Sequence, residues 1–127
     1  MLDNLAILVV EDEPVIAMAL TFAIWNAGGV VIGPASSVRA ALSLLETHCA
    51  GAAILDFNLT DGVVTPILER LMHDNVPLII QTGVGIPAEL AARFPDLIVR
   101  IKPVIADDLV AELALLIDQR QMAVPAA

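Results

Sequence analysis

Five short apolar runs punctuate the chain, and each ends abruptly. LAILVV (5–10) runs into Glu11, Asp12 and Glu13; VVIG (30–33) into Pro34; AAIL (52–55) into Asp56; PLIIQ (77–81) into Thr82 and Gly83; LIVRI (97–101) into Lys102 and Pro103. Continuous apolar runs of this length are what strands covered on both faces look like. Helical segments separate them. The first reads from Pro14 to about Ala27 and is stopped by Gly28 and Gly29. The second, Val38 to about His48, can be capped by Ser36 or Ser37 and is apolar along Ala41, Leu44 and Leu45. A third runs from about Val63 to Asp74, a short fourth from Val84 to Phe94, and the last, amphipathic, over 104–120. Strands and helices alternating through short turns imply an α/β fold, a parallel sheet with right-handed crossovers and helices on both faces.

The chain has 127 residues, the size of one domain, and reads as one unit over 1–121 with a flexible tail over 122–127. It is 58% hydrophobic and only 3% aromatic, so its core must be built from Ala, Val, Ile and Leu. Six basic residues against fifteen acidic ones give a net charge of −9, which argues against direct binding of nucleic acid. Cys49 is the only cysteine; no internal disulfide can form, a reducing, cytoplasmic setting is expected, and the thiol reads as a small buried apolar group. The start lacks a basic residue ahead of its apolar run, unlike a signal peptide. The uncharged stretch between Glu13 and Arg39 is long enough to cross a bilayer, but Asn26, Gly28, Gly29, Gly33, Pro34, Ser36 and Ser37 break it up, and no membrane association is expected.

In an open parallel sheet, ligands sit beyond the carboxyl ends of the strands. Those ends carry Glu11 and Asp12, Asp56, Thr82, and Lys102 with Pro103. Three gathered carboxylates repel one another, so one of them should have its pKa raised unless a cation is present. A few hard oxygen ligands, with room left for water and phosphate oxygens, suit Mg²⁺. An ionised Asp56 could then attack a phosphoryl group to give an acyl phosphate, with Lys102 balancing charge and Thr82 bonding a phosphoryl oxygen beside the glycine-containing loop 83–85. Each residue alone also has an ordinary explanation: acids at a helix start, an Asx turn before Gly62, a strand-end hydroxyl, a surface lysine.

Taken together and in order, VVEDE, ILDFNLTDG, a Thr followed by Gly, and KP resemble the receiver domains of two-component response regulators over nearly the whole chain. The resemblance implies a flavodoxin-like (βα)5 fold, a doubly wound five-stranded parallel sheet in the order 2-1-3-4-5. It implies Asp56 as phosphoacceptor, Asp12 as a direct Mg²⁺ ligand, Glu11 acting on the ion through water, and the backbone carbonyl of Asn58 as a further ligand. Thr82 and Lys102 match the pair that reads the phosphoryl group, and the peptide before Pro103 is expected to be cis. The implied phosphodonor is a histidine kinase or histidine phosphotransfer protein. The domain would assist its own phosphorylation and dephosphorylation without being an enzyme in the ordinary sense.

Two departures stand out. Many receivers carry Tyr or Phe three residues before the lysine; here it is Val99, so the signal must leave through the loop after Thr82 or through association. A subgroup of stand-alone receivers resembles QTGVG and lacks that aromatic. The first helix is apolar nearly all round: Ile16, Leu20, Ala23 and Ile24 should face the sheet, while Val15, Met18, Phe22 and Trp25 form a second apolar side, broken only by Thr21. In receivers this helix usually meets the phosphodonor, which makes the second side a candidate partner contact. His48 and His73 read as solvent-facing helix-end residues. A homodimer through the last helices is compatible with the family, though no residue pattern announces it. Two other readings compete. DFNLT resembles the Asp-x-Asp-x-Thr motif of haloacid dehalogenase-type phosphatases, but Asn58 lacks the second carboxylate and there is no cap domain. A receiver-like binding module without phosphorylation is the other.

Overall fold

The computed structural model describes residues 1–123. Its elements are β1 (Ala6–Val10), α1 (Pro14–Asn26), β2 (Val30–Ala35), α2 (Val38–Thr47), β3 (Ala52–Asp56), β4 (Asn58–Leu59), β5 (Gly62–Val63), α3 (Thr65–His73), β6 (Leu78–Thr82), α4 (Ala88–Arg93), β7 (Ile98–Ile101) and α5 (Ala106–Ala123). Five strands form one parallel sheet in the order β2-β1-β3-β6-β7. Numbering those five alone gives 2-1-3-4-5, as expected.

Alternation along the strands divides the core in two. Leu8, Val10, Leu55 and Ile80 pack with Leu45 of α2, Ile67, Leu68 and Leu71 of α3, and Leu90 of α4. Ile7, Val9, Ile54 and Ile79 point the other way, against Leu20 and Ile24 of α1 and Leu109, Val110 and Leu113 of α5. Both faces of β1, β3 and β6 are covered, which is why these strands read as near-continuous apolar runs, while the edge strands β2 and β7 are partly exposed.

Several expectations need correction. The fourth helix begins at Ala88, not Val84, and has six residues. Pro87 stands at its N-cap with ψ 143, and a residue before proline is pushed away from helical geometry, so Ile86 cannot belong to the helix. The third helix starts at Thr65 because Gly62 and Val63 pair with Asn58 and Leu59 in a small antiparallel hairpin around Thr60 and Asp61. The second strand continues past Gly33 through a cis Gly33–Pro34 peptide to Ala35. Cys49 is exposed rather than buried, lying just after α2, where the chain turns along the surface toward β3. Met122 and Ala123 continue α5 instead of beginning a tail; the remainder of that tail, 124–127, lies outside the described residues. Among the described residues no helix is long and apolar enough to cross a membrane.

Candidate functional site at the carboxyl edge of the sheet

The strand ends converge. Glu11 follows β1, Asp56 closes β3, Thr82 closes β6, and Lys102 follows β7. Register fixes their neighbourhood: Asp56 lies opposite Gln81, the Phe57 amide donates to the Gln81 carbonyl at 3.1 Å, and the Lys102 amide donates to the Thr82 carbonyl at 2.8 Å. Counting in twos along each strand, Glu11, Asp56, Gln81 and Lys102 share the parity of Ile7, Ile54, Ile79 and Ile98, the side covered by α1 and α5.

One carboxylate oxygen each from Glu11, Asp12 and Asp56 lies within 4.8 Å of the others. Lys102 Nζ donates to Glu11 Oε1 at 3.0 Å and to Asp56 Oδ2 at 3.2 Å, and stands 3.9 Å from Glu13 Oε1. The second Glu11 oxygen accepts the Glu13 amide at 3.1 Å, and Gln81 Nε2 donates to Glu11 Oε1 at 3.1 Å. Asn58 stands two residues beyond Asp56 on β4 and is exposed. The Lys102–Pro103 peptide is cis.

Glu11 is 2% exposed. Its carboxyl is pushed up to about 7, first by burial and to a lesser degree by the charge of Asp56, against the lowering effect of the Glu13 amide and Lys102. The raised carboxylate foreseen from mutual repulsion therefore exists, but burial is the larger cause. Burial pulls the Lys102 ammonium down, yet its bonds to Glu11 and the negative charge of Glu11 and Asp56 outweigh that, and its pKa is raised. One ammonium shared among three carboxylates leaves net negative charge at the rim. The donors are all hard oxygens, a set that fits Mg²⁺.

Thr82 is fully buried; its hydroxyl donates to the Gly85 carbonyl at 3.1 Å and accepts the Val84 amide at 3.3 Å, closing the loop 83–85 on itself. Gly85 has φ +86, a conformation open to glycine and strained for other residues. On α1, Val15, Met18, Phe22 and Trp25 are all exposed, while Leu20, Ala23 and Ile24 are buried. Thr21, the polar interruption, turns its hydroxyl back to the Ala17 carbonyl at 2.8 Å and offers solvent little. Phe22 and Trp25 form an edge-to-face pair with centroids 5.6 Å apart.

Two features were not foreseen. Gln81 ends the apolar run of β6 and its side chain bonds into the site; a polar side chain inside a doubly covered strand is the signal that marks it. Asp61, at the hairpin tip, accepts the Val38 amide at 2.8 Å and the Arg39 amide at 3.1 Å, capping α2 from outside beside the Ser37 hydroxyl, which takes the Ala40 amide. These hydrogen bonds hold the Asp61 carboxyl below its usual range.

No protein-family model matches the chain, and no curated protein does either. Solved structures do. SdrG from Sphingomonas melonis Fr1 is 34% identical, with 92% of this chain covering 98% of that one at a TM-score of 0.74. The BeF3-activated conformation of SdrG, from Pseudomonas melonis Fr1, is 36% identical, with 91% covering 98% at a TM-score of 0.68. A CheY-like response regulator receiver domain protein from Methanospirillum hungatei JF-1 is 21% identical, with 93% covering 97% at a TM-score of 0.81.

Proposed function

Because the chain belongs to the response regulator receiver domains, we propose that it accepts a phosphoryl group on Asp56 from a phosphohistidine of a kinase or phosphotransfer protein, in the cytoplasm and with Mg²⁺ bound. The observation that carries this is the convergence of Glu11, Asp12 and Asp56 within 4.8 Å, with Lys102 bonded to two of them. Glu11, Asp12, Asp56 and the Asn58 carbonyl would hold Mg²⁺, which when bound offsets the charge of the carboxylates and of the phosphoryl oxygens.

An Asp56 carboxylate oxygen attacks phosphorus, the phosphorus–nitrogen bond of the phosphohistidine breaks, and the imidazole leaves with the bonding pair. Lys102, already 3.2 Å from Asp56, balances the charge that arrives. To donate to the new phosphoryl oxygens, the Thr82 hydroxyl must release the Gly85 carbonyl, so phosphorylation reshapes the loop 83–85. No aromatic ring follows it, since the matching position is the half-buried Val99. The exposed side of α1, Val15, Met18, Phe22 and Trp25, is the surface offered to the phosphodonor. The domain is a phosphoacceptor rather than a turnover enzyme.

Incubation with acetyl phosphate and Mg²⁺ tests the reading: one phosphoryl group per chain is expected, lost in Asp56→Asn and on chelation. An unlabelled native protein would instead support an inert binding module. Continued hydrolysis of phosphate esters after Asp56 is fully labelled would favour a phosphatase.

A further inference from the structure

Four polar residues are buried among those described: Glu11, Asp56, Gln81 and Thr82. Three have parts in the reading above; Gln81 has none. Its position on β6 is one that hydrocarbon could fill, for Ile79, two residues earlier on the same side, packs into the core under α1 and α5. A buried amide there is costly unless it is bonded. Its bond goes to the site, with Nε2 3.1 Å from Glu11 Oε1.

That oxygen has two donors of different kinds. Lys102 Nζ, at 3.0 Å, is also 3.2 Å from Asp56, so its position responds to what Asp56 carries. Gln81 makes no such second claim, and its backbone is pinned by the pairing of its strand with Asp56 and by the Phe57 amide. A phosphoryl group on Asp56 adds negative charge that draws Lys102 toward it. Without Gln81, Oε1 of a carboxylate that is 2% exposed would then lose its last side-chain donor.

We propose, on the reading of the site given above, that Gln81 is a positioning residue for Glu11: its amide keeps the buried carboxylate aimed at the cation once Lys102 turns to a phosphorylated Asp56. The test is a double-mutant cycle on the full chain, with Mg²⁺ affinity read by calorimetry. Gln81→Met, close in volume but without a donor, should raise the Mg²⁺ dissociation constant about tenfold or more, the range typical for residues that orient a metal ligand. The loss should be larger on the beryllofluoride adduct of Asp56, where Lys102 has turned away. Added to Glu11→Ala, which removes the accepting oxygen, the same substitution should change little, because its target is gone. A merely structural glutamine would cost the same in both backgrounds. Should Gln81→Met not fold, Gln81→Leu carries the same cycle. A dissociation constant within twofold of native, an equal loss in Glu11→Ala, or a loss no larger on the adduct overturns the inference. If the native chain binds Mg²⁺ and labels at Asp56, such a result overturns the inference alone; a native chain that binds no Mg²⁺ overturns the reading of the site with it.

Discussion

Lys102→Met exposes the electrostatics of the rim when it is studied with a chelator present. The ammonium is 3.0 Å from Glu11 and 3.2 Å from Asp56 and is largely buried. Removing one partner of a buried pair costs about 3–5 kcal/mol if the orphaned charge must stay. Here it need not stay, because Glu11 can take up a proton. Its folded pKa of about 7 lies above the ordinary value of 4.5, so the stability it contributes is full below the ordinary value and is lost as pH rises through 7. In the native chain that loss levels off above 7. In Lys102→Met the carboxyl keeps its proton to higher pH, and the loss continues. The two stability curves should therefore run parallel near pH 6 and separate above 7 by at most about 1.4 kcal/mol per pH unit. Lys102 does not confuse the comparison, since its own pKa is raised from 10.5 and it stays charged throughout. Urea unfolding followed by far-ultraviolet circular dichroism between pH 5.5 and 9 measures the gap. A gap that stays constant from pH 6 to 9 would refute the reasoning, for it would mean that Glu11 keeps its charge without its partner.

Three further outcomes follow from the same geometry. Phe22→Ala should slow phosphotransfer from a partner protein while leaving labelling by acetyl phosphate intact, and equal slowing in both assays would exclude α1 as the docking surface. Asp61→Ala removes the acceptor of the Val38 and Arg39 amides, so hydrogen exchange at those two amides should quicken while the β3 amides stay protected. Gly33→Ala should destabilise the domain by about 2 kcal/mol or more, because φ is +100 and the new Cβ would stand 2.6 Å from the Ala35 nitrogen; an unchanged urea midpoint would contradict this.

What could be read from the sequence follows a physical division. Strands buried on both faces announce themselves as apolar runs, and the polar residues that follow four of the five runs mark the rim, so Glu11, Asp56, Thr82 and Lys102 are legible as a set of strand ends. The β4–β5 hairpin was not, since two residues per strand leave no periodicity. Pro87 is the signal that delays the fourth helix to Ala88, against the apolar Val84 and Ile86 before it. Asp61 as a cap was invisible for another reason: its partners lie 22 and 23 residues earlier, and only the folded chain brings them together. Burial at chain turns has no periodicity to reveal it, which is why Cys49, apolar by residue type, is nevertheless exposed.

The edge-to-face pair on α1 gives the molecule a built-in lamp. Trp25 is its single indole, and the ring is more than half open to water, propped by the neighbouring phenyl group of Phe22. Emission from the native, unlabelled chain should shift to the blue when a protein settles over that pair, allowing an encounter to be timed in a stopped-flow cell without attaching a dye.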